Sequence, residues 1–253
     1  MVSLSARICI ISLLVLGVMI TAPKQVFAGE GLSASQKLEI EKLVHKYILE
    51  HPEVIIETID RMQAREELAK KERAKHTLAA SKDMLLNNPD DPIGGNPEGD
   101  VTVVEFFDYR CGYCKRVFPS VMKIINDDKN VRYVYKEFPI LGPESVVASK
   151  AALAAWRLDK TKYHDFHSAM MGGKGSLTKE KVFKMAGDAG LNIVALASEM
   201  ESPEVERTLR NNYELAKSLN INGTPAFVIG NELIPGAVDL GTLKRLITEA
   251  RGS

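Results

Sequence analysis

The sequence predicts an α/β catalytic domain that carries a helical insertion and follows a small all-α domain. From Asp100 onwards, apolar β-branched strand patterns alternate with helical patterns. Between Gly142 and Asn222 the patterns are helical only, so an insertion separates two groups of strands. Residues 29–88, by contrast, contain no cysteine and no convincing strand pattern. The boundary between the two domains is expected in the run 87–97, whose prolines and glycines cannot continue a helix.

The N-terminus has the pattern of a secretory signal peptide. Arg7 supplies a positive charge, and the run from Ile8 to Ile20 is almost wholly apolar. Val26 and Ala28 place small residues before a cleavage site after Ala28, so we expect residues 1–28 to be removed from an exported protein. The alternative is a retained N-terminal anchor, although the apolar run is shorter than the about 20 residues that a membrane-spanning helix needs.

Composition narrows the classes of function. Removing residues 1–28 leaves 225 of the 253 residues, with 31 of the 33 basic residues and all 33 acidic ones. This near balance argues against a nucleic-acid partner. Cys9 is lost as well, so Cys111 and Cys114 are the only cysteines of the mature chain. Because one close pair makes no disulfide framework, we expect the pair to serve chemistry.

Residues 29–88 are predicted to form an oligomerisation domain and its connector. The run Ser33–Gln36 fits a capping box at the start of one helix, and Pro52 suits the first turn of a second. Apolar residues then recur at helical spacing: Ile40, Leu43, Val44, Tyr47, Ile48, Val54, Ile55, Ile56, Ile59 and Met62. Two short helices cannot bury this surface themselves. Pairing with another copy, as a dimer or trimer, is favoured over packing on the chain's own catalytic domain.

The segment Gln63 to His76 is dense in charge and has Leu68 as its only large apolar residue. Either a solvated helix or a flexible connector would have this composition. Charge alone does not distinguish the two, so both remain open.

The catalytic domain is predicted to contain the following elements in order. Gly190 is expected to end one helix, Asp239 to cap another, and Gly230-Asn231 to form a tight turn between two strands. The predicted strands are 101–109, 131–138, 226–229 and 232–234, and the predicted helices are 114–126, 146–158, 178–189, 203–219 and 239–250.

A Cys-x-x-Cys pair stands where the first predicted strand of this domain meets its first helix, at Cys111 and Cys114. Backbone N–H groups and the helix dipole favour a negative charge at a helix N-terminus. They can lower a thiol pKa from about 8.5 to roughly 3.5–7.5. The sequence therefore predicts a reactive thiolate at Cys111.

A zinc site is the main alternative for the two cysteines, since His164 and His167 could complete a Cys₂His₂ set. No second Cys-x-x-Cys is present, however, and the histidines lie in a segment with the pattern of an ordinary amphipathic helix with Phe166 inward. We therefore expect no metal and no cofactor, and expect both histidines to be surface or capping groups.

Several features together carry a family resemblance. Cys111-Gly112-Tyr113-Cys114 directly follows a strand, and Gly223-Thr224-Pro225 leads into another. A helical insertion separates the two halves of the sheet, and Pro119 stands where such an active-site helix is commonly kinked. Over residues 93–253 the chain thus resembles the thioredoxin fold and, more closely, the DsbA family of bacterial thiol–disulfide oxidoreductases. The resemblance implies a thioredoxin fold with a helical insertion and export to the periplasm.

The resemblance also implies a role for each site residue. Cys111 would be the exposed attacking sulfur, and Cys114 would resolve the mixed disulfide. Thr224 and Pro225 would form a cis-proline loop against the cysteine pair, the alternative being a trans proline that starts a strand. Glu105, in an otherwise apolar strand, would lie beneath the site and assist proton transfer from Cys114. The alternative for Glu105 is a solvent-facing position at a strand edge.

Within the family, the resemblance is mixed. Gly112-Tyr113 and Thr224 are similar to the DsbC disulfide isomerases, and residues 29–88, with Pro-Glu-Val-Ile at 52–55, resemble the oligomerisation segments of DsbC-like and ScsC-like proteins. The helical insertion departs from DsbC. The DsbA-like and DsbC-like features together imply a periplasmic oligomer that forms and isomerises disulfides in exported cysteine-containing proteins. They also imply a membrane redox partner of DsbB or DsbD type. A mainly DsbA-like oxidase is one alternative, and a copper-handling or chaperone protein is another, since two reduced thiols can hold Cu(I).

Overall fold

A computed structural model describes residues 31–252, so the predicted signal peptide and its cleavage site after Ala28 lie outside the described residues. The chain divides into two compact units, one ending at Arg61 and one beginning at Met62. This division lies before the run 87–97, where the sequence analysis expects the boundary of the catalytic domain, and that boundary remains a prediction. Within residues 31–252, no helix combines the length and the apolar character that crossing a membrane requires.

The first unit contains helix α1 (Ala34–Glu50) and the beginning of helix α2 (Glu53–Ala80). The predicted capping box is present at the start of α1. The Gln36 N–H donates to Ser33 Oγ at 3.3 Å, and the Ser33 N–H donates to Gln36 Oε1 at 2.9 Å. No residue of α1 is buried, although the helix carries several large apolar side chains.

Helix α2 follows Pro52, as predicted, and continues without interruption for 28 residues. Every residue of the charge-dense segment 63–76 is helical and exposed. The solvated-helix alternative for this segment is therefore confirmed, and the flexible connector is not observed.

A five-stranded sheet forms the centre of the second unit, in the order β1-β3-β2-β4-β5. Strands β2 and β3 are parallel, whereas the β1–β3, β2–β4 and β4–β5 pairs are antiparallel. The strands are β1 (Ile93–Gly95), β2 (Val101–Phe107), β3 (Val131–Glu137), β4 (Ala226–Ile229) and β5 (Glu232–Pro235). The predicted α/β architecture is confirmed, and β1 is an addition that the sequence does not predict.

Helices surround this sheet, and five of them form the predicted insertion between β3 and β4. Pro119 lies inside α4, and Gly190, with φ of 80°, follows the end of α7 as predicted. The short helices α3 and α8 are not predicted, because five and seven residues give too little periodicity. The helices are α3 (Lys82–Leu86), α4 (Gly112–Asp127), α5 (Pro143–Leu158), α6 (Lys160–Gly172), α7 (Lys179–Asp188), α8 (Ile193–Glu199), α9 (Pro203–Ser218) and α10 (Leu240–Arg251).

The two faces of the sheet pack against separate apolar clusters. Val103 and Phe107 of β2 belong to the cluster that contains Cys114 of α4. Val104 and Phe106, which point to the other face, belong to the second cluster. Because helices cover both faces, β2 has an almost continuous apolar sequence, and a side chain on either face is removed from water.

A buried ion pair joins α3 and the segment before β1 to strand β3. Lys136 of β3 contacts Asp91, and each side chain is 1 % exposed. Lys136 Nζ also donates to Met84 O at 2.6 Å, and Asn88 Nδ2 donates to Asp91 Oδ1 at 3.1 Å. Burial raises the pKa of Asp91 to about 6 and lowers the pKa of Lys136. Each of these two buried groups can therefore stay ionised only because the other supplies the opposite charge.

Candidate active site

The predicted cysteine pair lies at the N-terminus of α4, on the turn that follows β2. Cys111 caps the helix, and the Cys114 N–H donates to Cys111 Sγ at 3.4 Å. Both cysteines are free thiols. Cys111 is 5 % exposed and Cys114 is 0 % exposed. Cys111 is thus buried, contrary to the expected exposed sulfur, because the loop at Thr224 lies against it.

The Thr224–Pro225 peptide bond is cis, and the trans alternative is therefore wrong. The loop lies against the cysteine pair, with Cys111 Sγ 3.2 Å from Thr224 O. Ala226, at the start of β4, pairs with Phe106 of β2. This register holds the loop at the end of β2, where the turn to Cys111 begins.

The surroundings of Cys111 favour its thiolate form. Hydrogen bonds from the side chains of Cys114 and Thr224 and from the backbone N–H groups of Cys114 and Tyr113 lower the Cys111 pKa to about 5, against the opposing effect of burial. The interaction with Cys111 raises the pKa of Cys114, and burial and the charge of Glu105 raise it further. At neutral pH the pair therefore consists of a Cys111 thiolate and a Cys114 thiol.

Alkylation of Cys111 by iodoacetamide is expected to reach its full rate below neutral pH. Because the thiolate is the reactive form, the rate should have its midpoint near the Cys111 pKa of about 5. An ordinary thiol has a midpoint near about 8.5. Mass spectrometry of the alkylated peptide would identify the residue, and the fast reaction should be absent from Cys111→Ser. A midpoint above pH 8 would contradict a stabilised thiolate.

Glu105 lies in the middle of the sheet, on β2 between β3 and β4. It is 3 % exposed, so the solvent-facing alternative is wrong. The Tyr133 hydroxyl donates to Glu105 Oε2 at 2.6 Å, whereas Oε1 has no hydrogen-bond partner among the described residues. Burial raises the pKa of Glu105 to about 8, and the charge of Cys111 adds to the rise while the Tyr133 bond opposes it. Such a carboxyl group can take up and release a proton near neutral pH.

The comparisons with known families agree with this geometry. The family model of the DSBA-like thioredoxin domain matches residues 102–248. The chain belongs to the DsbA-like thioredoxin family. In addition, residues 36–69 match the N-terminal domain of the copper resistance protein ScsC. The resemblance stated from the sequence is therefore confirmed for the DsbA-like domain and for the ScsC-like N-terminal segment.

Solved structures of similar proteins support the membership in the DsbA-like family. A thioredoxin-like oxidoreductase from Silicibacter pomeroyi DSS-3 is 45 % identical, with a TM-score of 0.65 over 68 % of this chain and 98 % of that one. A linker-deletion and point mutant of Proteus mirabilis ScsC is 29 % identical, with a TM-score of 0.68 over 89 % of this chain and 99 % of that one. These structures confirm the thioredoxin fold preceded by a helical segment.

The curated relatives include a disulfide bond formation protein and much longer sodium/proton antiporters. Disulfide bond formation protein D of Bacillus subtilis is 25 % identical over 166 residues, which are 62 % of this chain and 75 % of that protein. A sodium/proton antiporter NhaA of Salinispora arenicola is 27 % identical over 185 residues, which are 70 % of this chain. The chain spans only 28 % of that antiporter's length.

This DsbA-like site contains a buried residue that the sequence does not single out, Asp108. Its Oδ2 accepts from the N–H groups of Ile140 and Leu141, both at 2.9 Å, and its Oδ1 accepts from Ser145 Oγ at 2.7 Å. Asp108 therefore fastens the turn before Cys111 to the start of the helical insertion. The one local signal for it is an acidic residue between an apolar strand and the cysteine pair.

His167 is not the surface or capping group that the sequence predicts. It is 2 % exposed, and its Nδ1 lies 2.8 Å from the Tyr109 hydroxyl, which donates to Glu137 Oε1 at 3.0 Å. Burial lowers the pKa of His167 to about 3, so the ring is neutral. His164 is half-buried. Across residues 31–252, no group of three or more His, Cys, Asp or Glu side chains is arranged to hold a metal ion.

Proposed function

We propose that this chain is a periplasmic thiol:disulfide interchange protein that forms and isomerises disulfide bonds in exported proteins. The observation that carries the proposal is the position of Cys111 Sγ, 3.4 Å from Cys114 N and 3.2 Å from Thr224 O. There a thiol whose pKa is lowered to about 5 lies beside the cis-proline loop, along which a substrate chain would bind in the proposed reaction. The similarity to an oxidoreductase of Silicibacter pomeroyi and to Disulfide bond formation protein D of Bacillus subtilis supports the same chemistry.

In the proposed exchange, the Cys111 thiolate attacks a substrate disulfide, forms a mixed disulfide and releases the other substrate sulfur as a thiolate. Cys114 then loses its proton and attacks the Cys111 sulfur, which frees the second substrate sulfur and leaves a Cys111–Cys114 disulfide. Glu105, with a pKa of about 8, is the proposed proton acceptor for Cys114. The reverse sequence passes a disulfide to two substrate thiols.

Isomerisation begins with the same attack by Cys111, but a substrate thiolate, and not Cys114, then resolves the mixed disulfide. A substrate thiolate attacks the mixed disulfide, a new substrate disulfide forms, and Cys111 leaves again as a thiolate. This route needs Cys111 to start reduced, so we propose a membrane reductase of DsbD type. A partner of DsbB type would instead maintain the oxidised pair for disulfide formation.

An oligomer is proposed because the first unit leaves apolar side chains exposed. Leu43 of α1 is 67 % exposed and Ile56 of α2 is 60 % exposed. A second copy presenting the same segment would remove both from water, and their burial would stabilise a dimer or trimer. The match to the ScsC N-terminal domain covers this segment.

The mature chain is expected to be an oligomer by light scattering, and Leu43→Lys with Ile56→Lys is expected to be a monomer. Once the copies separate, one substrate no longer meets several cysteine pairs at high effective concentration. We therefore expect reactivation of scrambled ribonuclease to fall by about tenfold, while oxidation of reduced ribonuclease remains. Substitution is preferred to a cut after residue 88, because Leu78 and Leu85 are buried in the second unit.

The matched control is Ala74→Lys with Ala80→Lys, which adds the same charge to exposed positions of α2 beyond the ScsC-like segment 36–69. This control should keep both the oligomeric mass and the shuffling activity. If the protein is an oligomer that oxidises substrates but does not isomerise their disulfides, the proposed isomerase activity is wrong and the oxidase alternative is favoured. Copper(I) titration of the reduced protein, with Cys111→Ser beside it, tests the copper-handling alternative.

A further inference from the structure

A cavity of about 630 Å³ lies next to the cysteine turn, and the proposed exchange does not use it. Arg110 and Lys115 contribute to one side, and the end of α6 with the following loop, residues 171–177, forms the other. Arg110 directly precedes Cys111 in the chain. Because an extended peptide advances about 3.3–3.6 Å per residue, a substrate joined to Cys111 would reach the cavity with residues close to its own cysteine.

Positive charge exceeds negative charge around this cavity, where one carboxylate, that of Glu144, contacts the lining residues Arg110 and Ser176. Lys115, Lys174 and Lys181 form no ion pair with any carboxylate in the described part of the chain. Arg110 differs from them, since its Nε lies 3.2 Å from Glu144 Oε2. Lys115 and Lys174 line the cavity and Lys181 contacts Lys174, so three lysine ammonium groups at or next to this cavity form no ion pair.

The loop and its lysines are held together by backbone carbonyl groups. Lys115 Nζ donates to Met170 O at 3.2 Å and to Gly173 O at 2.5 Å. Lys181 Nζ donates to the carbonyl of Lys174. Burial lowers the pKa of Lys115, and the charge of Lys181 lowers it further, so the two ammonium groups repel each other. An anion in the cavity would relieve this repulsion.

We infer that this cavity binds carboxylate side chains that flank the reactive cysteine of a substrate. The protein then exchanges disulfides faster with substrates whose cysteine has Asp or Glu neighbours. The inference rests on the proposed function, because the flanking carboxylate acts on a chain that is reacting with Cys111. Charges at the rim of a binding site act mainly on the association rate and on its salt dependence.

The test uses the reduced mature chain and three peptides whose cysteine carries a 2-pyridyl disulfide. The cysteine is flanked by two glutamates, two glutamines or two lysines. Exchange oxidises Cys111 and Cys114 to a disulfide and releases the peptide thiol and 2-thiopyridone, whose absorbance gives the rate. Dividing each rate by that of the same peptide with 2-mercaptoethanol removes intrinsic differences between the peptides.

At low salt we expect the glutamate peptide to react about tenfold faster than the lysine peptide. At 1 M salt, where the Debye length is about 3 Å, the two rates should become similar. The double variant Lys174→Gln, Lys181→Gln should bring the low-salt ratio to within about twofold of one.

The control variant Lys129→Gln, Lys244→Gln removes the same charge at the far end of α4. Lys244 lies 3.9 Å from Asp127, the last residue of that helix, whereas Cys111 caps its first turn. This control should keep the wild-type ratio. Equal rates for the three peptides, or the same loss of preference in the control, would overturn the inference and leave the exchange activity intact. Failure of every peptide to react would overturn the proposed function with it.

Discussion

Replacing Cys111 by serine is expected to reduce disulfide exchange to the uncatalysed background, in oxidation and in isomerisation alike. Of the two cysteines in the described residues, Cys111 has the lowered pKa, whereas Cys114 is 0 % exposed and has a raised pKa. A serine hydroxyl is not ionised at neutral pH and forms no disulfide, so the helix N-terminus would have no nucleophile to stabilise. Reactivation of scrambled ribonuclease and oxidation of reduced ribonuclease would measure the two losses.

Cys114→Ser is the matched variant, and its expected outcome is different. It keeps the Cys111 nucleophile but lacks the thiol that resolves the mixed disulfide, so covalent complexes with substrates should accumulate. Non-reducing gels would show these complexes, and dithiothreitol would separate them by reducing the mixed disulfide. Exchange by Cys111→Ser above background, or no trapped complexes with Cys114→Ser, would contradict the roles proposed for the pair.

The sequence predicts the helices and strands that have a strong local pattern. It does not predict an element that forms only through contacts with residues distant in the chain. Strand β2 is an almost continuous apolar, β-branched run, helix α4 has apolar residues at helical spacing, and the Asp239 side chain caps α10 by accepting from Thr242 N at 2.8 Å. Strand β1, in contrast, has three residues in a run of prolines and glycines. It is a strand because it pairs with β3, which no local pattern of residues 93–95 reveals.

The site divides in the same way. Cys111, Cys114 and Pro225 belong to short motifs, which the sequence displays directly. The local sequence does not determine the burial of Glu105, because a strand covered on both faces has no alternation that tells which way an acidic side chain points. The sheet order decides it by placing β3 and β4 on either side of β2. His167 is buried among aromatic rings that include Phe107 and Tyr109, the latter 58 positions away in the chain, so its own local pattern does not reveal its burial.

Lys136→Met is expected to have the largest effect on stability among the changes considered, a loss of about 3–5 kcal/mol in the free energy of unfolding. Lys136 and Asp91 are each 1 % exposed. Methionine can fill the space of the lysine stem, but it leaves the Asp91 carboxylate buried without a counter-charge and removes the donor to Met84 O. Urea denaturation at pH 7, with an unchanged dependence on urea concentration, would measure the loss.

The pH dependence of this loss separates a charge effect from a packing effect. In the native protein the pKa of Asp91 is about 6, above its ordinary value, and loss of Lys136 should raise it further. A carboxyl group with a raised native pKa contributes stability that is present below about 3.9 and is lost as the pH rises through the native pKa. Lys136→Met should therefore be less destabilising at pH 4 than at pH 7. Adding Asp91→Leu should recover most of the loss at pH 7, because the pair is then replaced by apolar groups. A loss that is equal at both pH values and persists in the double variant would show that packing, and not the ion pair, stabilises this part of the fold.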